Sequence, residues 1–320
     1  MNSAQPFPVP HALGWLLAIL ALGAIAVAIA VAAVASFAFH EIGDGLGGGD
    51  SGDTSLSWTP DGKHIVVSRG QDESQALYRL NADGSDPERL TSRDSAAEDP
   101  AVSPDGKKIA YVAIPGPWVD VYVASADGSD ARSLTNGDKT EADSAWSPNG
   151  REIAFIRGYD LDFQSDLYIM RADGTQVRRR TRGSDLEEAP AWSPDGAWIA
   201  YEAYPGVYVV PAHGRGKRRL VTNGLTSPAW SPDGKHLAVV EDQTTIKVVN
   251  MVTRKARRVV VSQPLGPAEY PTAPEDLAWS PDGKQIAYTV DGSVYTVRLS
   301  DGTARRLTHC VPGGDAHCGA

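Results

Sequence analysis

Carboxylates recur in this 320-residue chain just ahead of one repeated segment. Glu98-Asp99, Glu141 with Asp143, Glu187-Glu188 and Glu275-Asp276 each precede a Val/Trp-Ser-Pro-Asp/Asn-Gly stretch by a few residues. Acids gathered at one place attract a cation or a basic peptide, and with aromatic rings beside them they also suit a sugar stacked on a ring. Trp118, Tyr159, Phe163, Tyr204 and Tyr270 supply such rings in irregular stretches, with Asp160, Asp162 and Asp166 nearby. A second candidate is the C-terminal tail, where His309-Cys310 and His317-Cys318 could give four zinc ligands. Two cysteines alone in an oxidising compartment more often form a disulfide, and Cys310–Cys318 is the expected pairing. The histidines form no catalytic set, and no phosphate loop or dinucleotide fingerprint is present. Gly49-Asp50-Ser51-Gly52 reads like a protease nucleophile motif but lacks a strand to hold the serine and a positioned His partner.

The elements that must position these groups come from a repeat. Trp58, Val102, Trp146, Trp192, Trp230 and Trp279 each open a Ser/Thr-Pro-Asp/Asn-Gly turn whose prolines lie 44, 44, 46, 38 and 49 residues apart. Self-similarity at about 40–50 residues marks propellers and related arrays. After each turn comes a short apolar run such as Ile109-Ala110-Tyr111, then a second such as Val121-Tyr122-Val123. A second turn, Asp-Gly in four units (Gly84, Gly128, Gly174 and Gly302), leads to a basic last strand. Pro fixes φ and Gly accepts φ > 0, so each turn joins two strands of a hairpin. Four strands per unit and six units predict an all-β, six-bladed β-propeller of four-stranded blades. Trp58, Trp146, Trp192, Trp230 and Trp279 are expected to pack between blades, with Val102 the weakest contact.

The motif Trp-Ser-Pro-Asp-Gly-Lys-x-Ile-Ala-Tyr/Phe resembles the repeat of TolB-type, WD-like propellers over residues 54–308. The resemblance implies the fold. It implies less about function, because similar propellers serve as binding proteins, beside prolyl-oligopeptidase-like hydrolases, in kinase sensors and in polysaccharide lyases. The lyases hold a metal through clustered histidines, which this chain lacks. In such a ring the two turn types share one short-looped face. The blade connections and the longer loops share the other, where the acids listed above would surround the channel mouth and recognition would sit. The alternative is that each acid merely terminates its loop.

Residues 1–40 contain no Lys, Arg, Asp or Glu, and 14–39 are almost wholly Ala, Leu, Ile and Val. That exceeds the ~20 apolar residues needed to cross a bilayer and the ~7–15 of a signal-peptide core. An N-terminal transmembrane helix at 14–39 is expected behind a short tail of residues 1–13, with a cleaved signal and a soluble secreted protein as the alternative. No Lys or Arg flanks the span to orient it. The resemblance implies a cytoplasmic N-terminus and an extracytoplasmic propeller, joined by a Gly/Asp-rich linker at 40–53 and followed by the tail 309–320. The formal charge of −10 argues against nucleic acid, and the basic last strands read as edge protection or as attraction to anionic envelope surfaces. The expected function is a membrane-anchored scaffold or sensor of the cell envelope, non-enzymatic and without a cofactor. It would bind an envelope protein or basic peptide, or a small-molecule or glycan ligand. A cell-surface lyase or hydrolase, or an accessory subunit of one, is the competing reading.

Overall fold

The repeated turn shows why this sequence folds as it does. Ser103 Oγ donates to Asp105 Oδ1 (2.7 Å) and accepts the Lys108 N–H (2.9 Å), while the Lys107 N–H reaches the same aspartate oxygen at 3.1 Å. Gly106 sits at φ 69°, a region open to glycine and costly to other residues. Ser193 and Ser280 repeat the arrangement with Asp195 and Asp282. In the third repeat Asn149 Oδ1 stands in for the carboxylate.

The computed structural model describes residues 52–308 except 71–74, 115–117, 138, 159–163, 184, 215, 224–226, 243–244 and 261–273. The expected span 14–39, most of the linker 40–53 and the Cys310–Cys318 tail lie outside the described residues. Among the described residues no helix is long and apolar enough to cross a membrane. Among the described residues twenty-four strands form six four-stranded antiparallel sheets, each built from consecutive strands. These are blades I to VI, at 52–89, 98–133, 140–179, 187–223, 229–260 and 275–306. The innermost strands are Gly52–Trp58, Glu98–Val102, Thr140–Trp146, Glu187–Trp192, Ala229–Trp230 and Glu275–Trp279. Blade I begins at Gly52, two residues before the boundary expected from the repeat.

The core lies between blades. Trp146 joins Ala110, Val112 and Val123 of blade II with Ile153 and Phe155 of its own blade, and its Nε1 donates to the Ala101 carbonyl at 3.0 Å. Trp279 does the same to Ala229 across the next-to-last seam. Among the described residues no strand is shared between the first and last blades. The ring closes instead through the Asp53 N–H to the Gly292 carbonyl (2.8 Å), Thr289 Oγ1 to the Thr54 carbonyl (3.1 Å), and a mixed core of Leu56, Ile65, Ala287 and Val294.

The seams are not equivalent. Gly84, Gly128 and Gly174 lie against the main chain of Leu307, Leu90 and Leu134 of the preceding blade, so closely that an added Cβ would fall within 3.0 Å of each carbonyl oxygen. The corresponding Gly214 and Gly302 have nothing within 4 Å of that Cβ position. The reason lies in the last strands. Leu occupies the seam position in blades VI, I and II, whereas blade III has Arg180 and blade V has Val259. Arg180 Nε reaches the Pro211 carbonyl of blade IV (2.5 Å), so the guanidinium takes the space that close backbone packing fills elsewhere.

Candidate functional site

Three residues before the Trp or Val of each repeat stand Ser55, Asp99, Asp143, Ala189, Ser227 and Asp276. In five of the inner strands the pairing register slips at or beside this position, a β-bulge. From Asp99 to Asp276 the column residues take φ between 43° and 54°. A bulge re-aims a side chain, and Asp tolerates the left-handed region better than most residues. The six residues form one layer around an axial cavity of about 360 Å³ bounded by all six inner strands. Side chains staple this layer from blade to blade. Ser55 Oγ accepts the Asp99 N–H (3.0 Å), Asp143 Oδ2 accepts the Ala189 N–H (3.0 Å), and Glu202 accepts the Ser227 N–H.

Three blades place carboxylates in this layer, and the ring brings them within electrostatic reach of one another. Burial pushes Asp99 well above the usual carboxylate range, with the charges of Asp143, Asp276 and Glu98 adding to it and the Ser55 hydrogen bond opposing it. Asp276 is pushed up to about 8 by burial and then by Glu275 and Asp143. Burial also raises Asp143, against the Ala189 N–H, and lifts Glu202 to about 7 with help from Glu188. Protein surrounds these groups on every side but the lumen, so they remain partly exposed while losing most of their hydration. All four shifts run the same way, so each acid gives up its proton less readily than a free carboxylate does.

The acids expected to surround the mouth therefore divide. Asp99, Asp143 and Asp276 line the channel; Glu98 and Glu275 stand beside Asp99 and Asp276 and act on them electrostatically, while Glu188, beside Ala189, acts on Glu202. Glu141 and Glu187 do not face the channel: each is 1 % exposed and turned into the seam with the preceding blade. Thr135 at the end of blade II accepts the Val121 N–H (2.9 Å) and lies 3.1 Å from Glu141 Oε2, while Arg157 holds Oε1 at 2.7 Å. Glu187 Oε2 takes the hydroxyl of Thr181 and the Leu167 N–H (2.9 Å). Asp53 completes the set at ring closure, bonded to Thr308 (2.7 Å) and to Arg69 through both oxygens (2.6 and 3.0 Å). This threonine–carboxylate latch, five residues before Trp, is structural. The latch had a signal in the sequence: a Thr ending one blade, Thr135, Thr181 or Thr308, paired with an acid five residues before the next Trp. Glu202, a further acid of the channel end, had none.

Of the expected aromatics, Trp118 (41 % exposed) and Tyr204 (87 %) stand on the same face, in the connections between second and third strands of blades II and IV. Tyr159, Phe163 and Tyr270 lie outside the described residues, as do Asp160 and Asp162. Asp166 is paired with Arg179 and accepts the Gly183 N–H (3.3 Å). His64 and His236 begin second strands on the opposite face. Among the described residues no group of three or more His, Cys, Asp or Glu is placed to hold a metal ion.

The sequence pattern of the TolB beta propeller domain matches residues 51–164 and 144–275. No curated protein matches the chain. Among solved structures, TolB from Acinetobacter baumannii superposes with a TM-score of 0.63 at 20% identity, over 81% of this chain and 63% of that one. This chain thus spans under two thirds of that relative's length. The nidogen/laminin complex contains a chain with TM-score 0.61 and 16% identity, over 75% of this chain and 91% of that one. An oligogalacturonate lyase in complex with manganese gives 0.56 and 15%, over 81% and 77%.

Proposed function

This chain belongs to the TolB beta propeller domain family, and on that premise we propose that it is a binding protein of the cell envelope. In this reading residues 14–39 anchor it in the membrane, the propeller is extracytoplasmic, and the acidic end of the channel takes a cationic segment of a protein partner. The observation that carries the reading is the convergence of Asp99, Asp143 and Asp276 on one layer of a closed ring, with Glu202 beside them. A positive group entering there favours the ionised form of these acids and gains their attraction where water screens it little. The exposed rings of Trp118 and Tyr204 on the same face add apolar contact area of the kind that dominates interface energies. A solved propeller of the same fold within the nidogen/laminin complex supports a protein-binding role.

The competing reading, a lyase-like enzyme, draws on the likeness to the manganese-bound oligogalacturonate lyase. The described residues do not fit such an ion: the channel offers separated aspartates and no histidine. The test is crosslinking of the full chain in its native membranes, with products identified by mass spectrometry, in the unaltered protein and in Asp143→Asn/Asp276→Asn. Crosslinks from the channel face to one envelope protein, lost in the variant, are expected. Crosslinks that persist unchanged would refute the channel as the site, and protease access from the cytoplasmic side would refute the orientation.

A further inference from the structure

Blade V is the loosest member of the ring. Its innermost strand has two residues, Ala229–Trp230, against five to seven in the other blades. In the sequence, Leu225 and Pro274 stand where blades I, III and IV have Asp53, Glu141 and Glu187, as Ala97 does in blade II, and blade V ends in Val259-Val260 where the other blades end in Thr. Cavities flank it on both sides, about 250 Å³ against blade IV and about 620 Å³ against blade VI. A third, of about 420 Å³, adjoins the larger one at the outer rim, where both share Arg257 and Leu299. The V/VI seam is therefore a cleft running out to the blade edge, floored by Val248, Trp279 and Leu299.

Among the described residues the edge beside this cleft carries no further strand. The outermost strand Ala256–Val260 pairs with Thr245–Asn250 on one side, and among the described residues no strand pairs with the other. Its five residues span about 16 Å, where the outermost strands of blades I, II and III have two residues each. The edge is also cationic in a chain of net charge −10, with Arg254, Lys255, Arg257 and Arg258 within five positions. Arg258 pairs with Glu241. Among the described residues Lys255 and Arg257 pair with no carboxylate, and Arg257 Nη1 reaches across the cleft to the Leu299 carbonyl (2.9 Å). The acids nearby are already engaged: Asp233 by its own turn, Asp282 by its turn and Lys284, Asp301 by Arg298. Blade IV has an equally long edge, Arg219–Asn223, but its guanidiniums are spent: Arg218 on Asp185, and Arg219 over the Trp198 ring at 4.4 Å.

We propose that the outer edge of blade V and the V/VI cleft form a docking site for an extended acidic segment of a partner protein. Its main chain adds as a fifth strand, and an alternate apolar side chain enters the cleft. Main-chain pairing supplies affinity in this mode and the side-chain pockets supply selectivity. The charges set the partner's sign: a row of cations on a free edge repels a second copy of itself and favours a strand carrying Glu or Asp.

The test is fluorescence anisotropy with a fluorescein-labelled Glu-Leu-Glu-Val-Glu-Leu-Glu peptide and the full chain in neutral detergent at low salt. Saturable binding is expected, weakened at least about tenfold by Lys255→Glu/Arg257→Glu. The same loss is expected when alternate peptide amides are N-methylated, a control that leaves the protein untouched. Asp143→Asn/Asp276→Asn should leave this binding unchanged, so failure here is separable from failure of the channel reading. Absence of saturable binding, equal binding of the N-methylated peptide, or full displacement by inorganic polyphosphate with the same dependence on Lys255 and Arg257 would each overturn the proposal, the last two in favour of a plain anion patch.

Discussion

Replacing the turn glycines by alanine separates backbone strain from seam packing, because Gly302, Gly174 and Gly128 occupy the same turn with φ of 73°, 89° and 84°. All three substitutions place an L residue in the left-handed region at a cost of about 1–2 kcal/mol, part of which the stiffer unfolded chain offsets by about 0.4–1 kcal/mol. Only the neighbours differ. At Gly302 the new methyl meets nothing within 4 Å, so Gly302→Ala should cost about 1 kcal/mol or less. At Gly174 it falls 2.8 Å from the Leu134 carbonyl oxygen and 3.3 Å from Leu134 Cα, and the seam must yield by a few tenths of an ångström. At Gly128 it overlaps the Leu90 carbonyl outright, and backbone on both sides leaves no flexible side chain to move. Overpacking of this kind typically costs ~1–3 kcal/mol, so the expected order of stability is Gly302→Ala, then Gly174→Ala, then Gly128→Ala, spanning about 2–3 kcal/mol. For a domain of this size that is roughly 5–10 °C between first and last in thermal unfolding followed by far-ultraviolet circular dichroism. Equal losses for Gly128→Ala and Gly302→Ala would show that φ alone sets the cost and that the two kinds of seam do not differ in solution.

Glu187→Gln tests the latch between blades III and IV. Burial lifts Glu187 to about 7, against its Thr181 and Leu167 hydrogen bonds, so the folded state holds a proton that the unfolded state releases near 4.5. Its contribution is fully present below about pH 4.5 and is lost as pH rises through about 7, amounting to about 3 kcal/mol at 1.36 kcal/mol per pKa unit. Glutamine keeps the acceptor and cannot ionise, so urea midpoints at pH 5 and pH 8 should lie closer together than in the unaltered protein; an unchanged gap would refute the assignment. In the channel, Asp276 near 8 and Glu202 near 7 predict that a Lys-rich probe peptide binds more tightly as pH rises from 6 to 8 and releases protons on binding. Calorimetry in two buffers of different ionisation enthalpy measures that release, and zero release at pH 7 would place the probe elsewhere.

The ring was legible because its signals are local and repeated. Ser103, Pro104, Asp105 and Gly106 each have a turn-specific job, so six copies specify the hairpins and Trp specifies the blade packing. What could not be read was the side-chain direction at the start of each inner strand. In a regular strand residues two apart share a face, which would send Glu141 and Asp143 the same way. The bulge at 143–144 breaks that alternation, burying Glu141 in the seam and leaving Asp143 in the channel. Bulges leave little trace in composition, and the left-handed tolerance of Asp99, Asp143 and Asp276 was the one available hint. Glu202 escaped for another reason: it lies on a second strand, far in sequence from the residues it faces. The looseness of blade V was equally hidden, since its turn motif is complete and only the missing Thr and carboxylate betray it.

Closing the ring without a shared strand governs where the molecule first comes apart. In an open array of repeats each end unit has a single neighbour, and unravelling begins at the termini. Here Asp53 and Thr308, 255 positions apart, are joined by a buried hydrogen bond, so the terminal blades have two neighbours like all the others. Chemistry rather than chain position then selects the first seam to open, and it selects the two around blade V. Native-state amide exchange should show Val239, Val248 and Val249 exchanging through a lower-energy opening than Val66, Val67 and Val294, although the latter belong to the first and last blades of the chain.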